Sequence, residues 1–417
     1  SYTTRISQLV PGGGRFSISL DSYKNDTNVK FQTINPVFRS TLNFNFTQPL
    51  LKDFGYKVSR KEIIIARNNM EISENELKKI LLDTIYSVEE AYWNLVNSIE
   101  NLKVRRQSLE LARDLLRKNQ KEVEIGTLAP KEILSAQAEV ASREAEILQA
   151  EAVVKNNTDL LKTIINLPDE EEATELVPVD KPSFEKRDIK LEEAFRTAIE
   201  NRPDLQSQRI RLKNREIELS FAKNQLLPAL NLNANYWSPG VSGTRILYFN
   251  NNPLTEIVVG TEPGGISNSL NDAFGLLYKN WSIYLTLEIP LNTIISRAAH
   301  ARAKVNMEQE ELRLKQKEQL AFLEIKSAVR AVETNYMSVQ AYKVARELAE
   351  EKLEAEEAKL KAGLSTNYIV LQYQRDLARA STDELRAIID YNLSLSKLDQ
   401  ALGITLERKN IRLSDVR

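Results

Sequence analysis

Two hydrophobic periods divide this chain. In FRSTLNFNFTQPL, residues 38–50, Leu42, Phe44 and Phe46 alternate with Asn43, Asn45 and Thr47. In LPALNLNANYW, residues 227–237, Leu230, Leu232, Ala234 and Tyr236 alternate with Ala229, Asn231, Asn233 and Asn235. In WSIYLTLEIPL, residues 281–291, Ile283, Leu285, Leu287 and Ile289 oppose Ser282, Tyr284, Thr286 and Glu288, and RFSISLDSY at 15–23 is a weaker case. A period of two marks strands with one apolar and one wet face. The stretch between Trp237 and Trp281 reads as a long polar loop, with TRILYF and LTEIVV around NNNP as candidates for a protruding hairpin.

The other period belongs to helices. Residues 56–125 hold no Pro or Gly and are dense in Glu, Lys, Arg, Leu and Ile, and 292–362 are equally uninterrupted. As a single helix the first would reach on the order of 105 Å. Such lengths imply coiled-coil packing or an elongated helical wall. Gly126 and Gly363 follow these runs where a C′ glycine ends a helix in left-handed conformation. Pro130 at a first turn and Thr366 as an N-cap then start return helices. Ala136, Ala138, Ala141, Ala145, Ala150 and Ala152 allow close neighbours on the first return helix.

The two hairpins are copies. At a constant offset of 237 residues, Ser59-Arg60 matches Ser296-Arg297 and Asn69-Met70-Glu71 matches Asn306-Met307-Glu308. Gly126 meets Gly363, Leu134 meets Leu371, Gln137 meets Gln374, Leu148 meets Leu385, Leu161 meets Leu398, and Leu167 meets Ile404. A repeat of this kind decides architecture before local propensity does. The predicted organisation is 1–51 strands and loop of the first copy, 52–168 its hairpin, and 169–190 a charged connector. Residues 191–227 are the second copy's helix, 228–291 its strands and loop, 292–403 its hairpin, and 404–417 a segment matching the connector. The offset puts the first copy's counterpart of 191–237 ahead of Ser1, so a helix and a strand are expected before this chain in the natural protein.

Composition removes several functions. The chain has 417 residues, 57 Lys+Arg against 58 Asp+Glu and a net charge of −1, which gives no electrostatic reason to bind nucleic acid. Without cysteine and with one histidine, His300, thiol chemistry, disulfides and Cys/His metal sites are excluded. No catalytic constellation and no need for a cofactor or metal is visible, and His300 reads as a solvated helix position. No run approaches the roughly 20 apolar residues of a membrane-spanning helix, whereas barrel strands leave a weaker trace.

At this point the chain resembles the TolC family of outer-membrane efflux proteins. The likeness covers essentially its whole length. It rests on the doubled strand–hairpin layout with TQPLL (47–51), AYWNLV (91–96), IGTLAPKEILSAQAEV (125–140), NRPDL (201–205) and LLPAL (226–230). It implies a mainly α protein with transmembrane β: a homotrimer whose 12-stranded β-barrel continues into a 12-helix α-barrel, with a small equatorial domain. It also implies passive transport from periplasm to exterior, driven by an inner-membrane pump through a periplasmic adaptor. Independent physics favours assembly, because about four strands per chain cannot close a barrel and open edges do not survive in lipid. Three chains of four would suffice for a water-conducting pore; the number three comes from the resemblance.

Within that frame, Asn43, Asn45, Asn231, Asn233 and Asn235 are candidate lumen residues, against the plainer reading of a solvated sheet face. Leu42, Phe44, Phe46, Leu230, Leu232, Ile283, Leu285 and Leu287 are the lipid-facing set. Tyr236, Trp237, Tyr278 and Trp281 are candidate girdle aromatics at strand ends, although such residues also cap soluble cores. By resemblance, the return helices narrow the periplasmic entrance, where the family's acidic ring falls on Ile369 and Gln372. Ile369 suggests a hydrophobic constriction that opposes passage by dewetting; the plain alternative is that Ile369, Val370 and Leu371 pack between helices. Glu132 and Asp376 are the acids remaining nearby, and Tyr368 and Arg375 are candidates for polar locks. Gly126, Leu128, Gly363, Leu364 and Ser365 at the tips are the candidate adaptor-docking positions. Two rival readings are a soluble periplasmic coiled-coil scaffold or adaptor, and an envelope enzyme with helical decoration.

Overall fold

The computed structural model describes residues 1–127, 129–168, 176–180, 182 and 184–412. In chain order it contains β1 (Tyr2–Leu9), β2 (Arg15–Asn25), β3 (Ile34–Pro49), α1 (Tyr56–Ser59), α2 (Lys61–Glu124), α3 (Lys131–Ile164), α4 (Leu191–Asn201) and α5 (Pro203–Asn224). There follow β4 (Ala229–Tyr248), β5 (Val258–Glu262), α6 (Ile266–Phe274), β6 (Asn280–Glu288), α7 (Ile294–Lys361), α8 (Asn367–Leu402) and α9 (Thr405–Arg408). The chain divides into two compact units, Ser1–Glu71 with Arg209–Arg313, and Ile72–Gln208 with Leu314–Arg417.

The first unit is built on one antiparallel sheet in the order β1-β2-β3-β4-β5, with β6 also paired to β4. Its register makes the alternation in the sequence cooperative across strands. Phe46 lies opposite Phe16 and Ala234, Phe44 opposite Ile18 and Tyr236, and Leu42 opposite Leu20. Beyond β4, Tyr236 meets Trp281, Ala234 meets Ile283, Leu232 meets Leu285 and Leu230 meets Leu287. One face is therefore apolar across neighbouring strands, and a slip of one residue would turn it over.

Two features of this unit depart from the sequence reading. β1 is an extra strand, paired with β2 along its whole length; its alternate residues Tyr2, Thr4, Ile6, Gln8 and Thr3, Arg5, Ser7, Leu9 have little polarity contrast, so the period is faint. The segment after Trp237 is also far from a simple loop. β4 runs on to Tyr248 and pairs there with β5 as the protruding hairpin, and α6 then packs on the sheet. Small residues make room for α6: a Cβ on Gly240 would fall 2.0 Å from the Ser269 carbonyl oxygen, and Ser40 Oγ lies 3.0 Å from both Ser22 Oγ and Ser269 Oγ.

In the second unit, helices pack side by side through three apolar contacts. Ala91 and Leu95 of α2 meet Leu161 of α3, while Val96, on another face of the same AYWNLV segment, meets Ile389 and Leu393 of α8. α8 in turn shares the largest cluster with Ile325, Val329 and Val332 of α7 and Ala194 and Ala198 of α4. The resulting order is α3, α2, α8, α7. The long first helix is interrupted once, at Arg60 between α1 and α2, and α7 runs for 68 residues.

Both hairpins turn by the same backbone device. Gly126 and Gly363 have φ of +80° and +77°. At the first, Gly126 N–H donates to Val123 O at 3.0 Å and Thr127 N–H to Glu122 O at 2.9 Å; at the second, Gly363 N–H donates to Leu360 O at 3.0 Å and Leu364 N–H to Lys359 O at 2.9 Å. These are Schellman ends, which satisfy carbonyls that the helix itself leaves unpaired. No atom lies within 4 Å of a Cβ built on either glycine, so left-handed backbone alone accounts for both. The repeat extends to the other ends of the return helices, where Asn166 and Gly403 occupy equivalent positions with φ of +52° and +76°.

Candidate functional site

The hairpin tips lie in the second unit. α8 begins at Thr366, which takes the N-cap place with extended backbone but makes no side-chain cap bond. Its next two turns separate into stripes. Asn367, Val370, Leu371 and Gln374 are buried, whereas Tyr368, Gln372, Arg375 and Asp376 are exposed and Ile369 is half-buried between them. Leu371 packs with Ala112 and Leu115 of α2 and Val140 of α3. Val370 and Leu371 thus follow the packing alternative, and Ile369 only in part. The exposed side chains recur at the three- and four-residue steps that share one helix face.

Polar contacts fasten this end of α8 to the first hairpin. Asn367 Nδ2 donates to Asn119 Oδ1 at 2.5 Å, with both residues buried, and Arg375 Nη1 lies 3.4 Å from Glu139 Oε2. Glu132 is half-buried, and its carbonyl accepts from Asn119 Nδ2 at 3.5 Å. At the second tip Glu356 accepts from Ser365 Oγ at 2.5 Å and from Lys359 Nζ at 2.9 Å. The Ser365 hydroxyl and then Lys359 hold the Glu356 carboxyl below its ordinary pKa. Gly126, Gly363 and Leu364 are exposed, and Leu128 lies outside the described residues. Sequence reasoning did not single out Asn119 and Asn367, because nothing local marks two asparagines 248 residues apart as partners.

A second set of ties secures the base of α8. NRPDL is the join between α4 and α5. Arg202 forks onto Asp204, Nε to Oδ1 at 3.0 Å and Nη2 to Oδ2 at 2.9 Å, while Nη1 reaches Glu324 Oε2 at 2.7 Å and the Ala401 carbonyl at 3.1 Å. Burial opposes the charge on Asp204, but Arg202 overcomes it and holds the carboxyl below its ordinary pKa. Burial likewise opposes the charge on Arg202, whose pKa is nonetheless raised by Asp204 and Glu324. The described part of the connector is fixed to the same helix, since Arg187 Nη1 lies 2.8 Å from Asp399 Oδ1 and Tyr391 OH donates to Glu185 O at 2.5 Å. α9 supplies the matching bond, Arg408 Nη1 to Asp399 Oδ2 at 2.7 Å, and Lys409 pairs with Glu89.

In the first unit the strand residues separate by face. The polar face carries a ladder: Thr47 Oγ1 donates to Asn233 Oδ1 at 3.0 Å, Asn233 Nδ2 to Thr286 Oγ1 at 3.1 Å and Asn235 Nδ2 to Ser282 Oγ at 3.3 Å. Asn43 Nδ2 donates to Asp21 Oδ2 at 2.8 Å, and Asn45 and Asn231 share the face by register. Leu42, Phe44, Phe46, Leu230, Leu232, Ile283, Leu285 and Leu287 fall on the opposite, apolar face. Tyr236 and Trp281 are cross-strand partners there, with Phe44 and Tyr236 ring centres 6.0 Å apart. Trp237 is one residue out of phase with them: it pairs with Asn43 and Asn280 on the polar face. Tyr278 precedes β6 and is exposed. β1 and β6 are each paired on one side only, and Ile6, Trp281, Ile283 and Leu285 are all more than 60% exposed. His300 lies in α7, and no group of residues suited to a metal ion occurs among the described residues. No described helix is long and apolar enough to cross a membrane.

An apolar-faced sheet with open edges, joined to a duplicated pair of long helical hairpins, defines a class of envelope channel. The comparisons with known proteins agree. The chain belongs to the outer membrane efflux protein family, whose model matches residues 17–167 and 194–404. Its fold is similar to that of the Campylobacter jejuni CmeC outer membrane channel, with 18% identity, a TM-score of 0.67 and coverage of 98% of this chain and 83% of that one. It is similar to the Vibrio cholerae outer membrane protein VceC at 17% identity and a TM-score of 0.66, over 94% and 87% of the two chains. For the open state of the Neisseria gonorrhoeae MtrE outer membrane channel the values are 18%, 0.64, 95% and 81%. No curated protein sequence matches the chain. The protein is therefore an outer-membrane efflux channel that extends into the periplasm, not a soluble scaffold, and its family is one of channels rather than enzymes.

Proposed function

We propose that three copies of this chain close one exit duct, which receives solute from a periplasmic adaptor and an inner-membrane pump and is gated at the hairpin tips. The observation that carries the assembly is the pair of half-satisfied sheet edges, since unpaired backbone groups facing hydrocarbon cost several kcal/mol each, about the penalty that restricts membrane strands to closed barrels. Strand direction supports four staves per chain. β1 and β6 run the same way, so joining β1 to a neighbour's β6 would make a parallel pair, whereas β2 and β6 run oppositely. Antiparallel closure through β2 and β6 uses β2, β3, β4 and β6, twelve strands in a trimer, with β1 giving up its place on β2.

In this assembly the lipid-facing set is the apolar face, together with girdle aromatics Tyr236, Trp281 and Tyr278. The lumen takes Asn43, Asn45, Asn231, Asn233 and Asn235. Trp237 joins the polar face. At the tips, Tyr368, Ile369, Gln372, Arg375 and Asp376 with Glu132 form the gate, a constriction of mixed apolar and polar character. Gly126, Gly363, Leu364 and Ser365, with Leu128, form the adaptor-docking end; Ser365 is there held by Glu356.

Because these 417 residues hold no cysteine, paired substitutions in them give a clean readout. Oxidation of cysteines scanned along Ser17 and Ser19 of β2 and Ser282, Tyr284 and Thr286 of β6 is expected to yield cross-linked trimers. Cross-links confined to β1 and β6 would overturn the stave assignment. Single-channel recording in a planar bilayer tests the gate: Ile369→Ala and Gln372→Ala are expected to raise conductance, and unchanged current in both removes them from it.

A further inference from the structure

An arginine-rich cavity in the second unit adjoins the proposed gate and shares Arg375 with it. It has a volume of about 230 Å3 and lies over α2 between α3 and α8. Four arginines line it, Arg105 from α2, Arg143 from α3, and Arg375 and Arg379 from α8, against two carboxylates, Glu139 and Glu146. The lining therefore carries an excess of two positive charges.

Arg143 distinguishes this cavity from an ordinary solvated ion-pair network. Its side chain is 5% exposed, Nε donates to Glu139 Oε1 at 2.9 Å, and Nη1 donates to Ser108 Oγ at 2.6 Å and to the Ser108 carbonyl. Its Nη2 is buried with no hydrogen-bond partner. A buried guanidinium N–H left unpaired carries its full desolvation penalty. Glu139 is already shared between Arg143 and Arg375, and Glu146 is taken by Arg105 at 2.6 Å. Arg379 is 85% exposed, with Asp383 3.9 Å away.

We propose that this cavity binds a polyvalent oxyanion, inorganic phosphate or a phosphate monoester. Planar guanidinium groups from three helices bordering one cavity suit the several acceptor oxygens of such an ion. Chloride offers a single charge and no fork geometry. A bound oxyanion bridges Arg143 of α3 to Arg375 and Arg379 of α8, and so ties the second hairpin's return helix to the first hairpin.

The test uses the full chain purified in a maltoside detergent, titrated calorimetrically with sodium phosphate at ionic strength held constant by sodium chloride. Saturable binding of one phosphate per chain is expected, competed by sulfate. Arg379→Gln should weaken it about three- to tenfold and Arg143→Gln by more than about tenfold, while Glu146→Gln, which removes a competing carboxylate, should tighten it. Phosphate should also raise the unfolding temperature of the unmodified protein by linkage. Titration with glycerol phosphate separates the sources: tighter binding than phosphate indicates an ester, weaker binding the free ion. Absence of saturable heat, or equal affinity in the unmodified, Arg379→Gln and Glu146→Gln proteins, overturns the proposal. If Arg143→Gln does not fold, the two exposed-site variants decide alone. The readout here is phosphate binding and not conductance or assembly, so failure of this site and failure of the duct are distinguishable.

Discussion

The two return helices descend from one repeat but occupy different places. α8 has thirteen buried residues among those described, running from Asn367 to Leu402, whereas α3 has three, Ala136, Arg143 and Leu161. α8 lies between α2 and α7 and is fastened at both ends, by Asn119 near the tip and by Arg187, Arg202 and Arg408 at the base. α3 touches α2 on one side and leaves Leu134, Leu148, Val153 and Leu160 at least half exposed on the other. The two related hairpins thus yield an interior helix in one copy and an edge helix in the other, because α8 packs against both α2 and α7 whereas α3 packs chiefly against α2. In the proposed trimer that open face of α3 is where the next chain packs.

Substitutions on the two return helices, one at an enclosed and one at an open site, sharpen this contrast. The largest effect is expected at Leu398, which is fully buried: Leu398→Ala should cost about 2–5 kcal/mol, read as a lowered unfolding temperature. Leu148→Ala, at a 68% exposed site, should change the stability of a dissociated chain by no more than about 0.5 kcal/mol and instead weaken assembly. Equal losses at the two sites would erase the distinction between interior and edge.

Next come the helix ends. Gly126→Ala and Gly363→Ala should each cost about 1 kcal/mol, and by the same amount, because both tips have one geometry and open space around it. Gly403→Ala should cost more, since its Cβ would meet the backbone of Asn201 and Arg202 at 2.9–3.1 Å. If thermal unfolding ranks Gly403 with the tips, the base of α8 is looser than described.

The smallest effect is a pH dependence. Asp204 has a lowered pKa, so its contribution is present above its ordinary value of 3.8 and is lost as pH falls through the lower folded value. The raised pKa of Arg202 acts in the opposite sense, its contribution fading only at extreme alkaline pH, outside any practical range. Unfolding temperature should therefore drop below about pH 4 in the unmodified protein and drop less steeply in Arg202→Gln. An identical acid slope in both would show that this pair does not tie α8 down.

Much of this architecture was legible because it is periodic. The two-residue alternation marked β2, β3, β4 and β6, absence of Pro and Gly marked α2 and α7, and the offset of Gly126 and Gly363 marked the hairpins. β1 escaped because its alternate positions differ little in polarity, and α6 because the small residues that receive it, Ser40 and Gly240, lie on two strands 200 positions apart. Trp237 was assigned with its aromatic neighbours by proximity in sequence, yet strand period puts it on the other face from Tyr236.

The sequence by itself determined which elements form, where they turn and which strand face is apolar, since these follow from side chains a few residues apart. Tertiary structure alone decided that α8 is enclosed while α3 is not, that Asn119 meets Asn367, and that four arginines from three helices gather round one cavity. Those outcomes depend on contacts between residues hundreds of positions apart, for which a local pattern carries no signal.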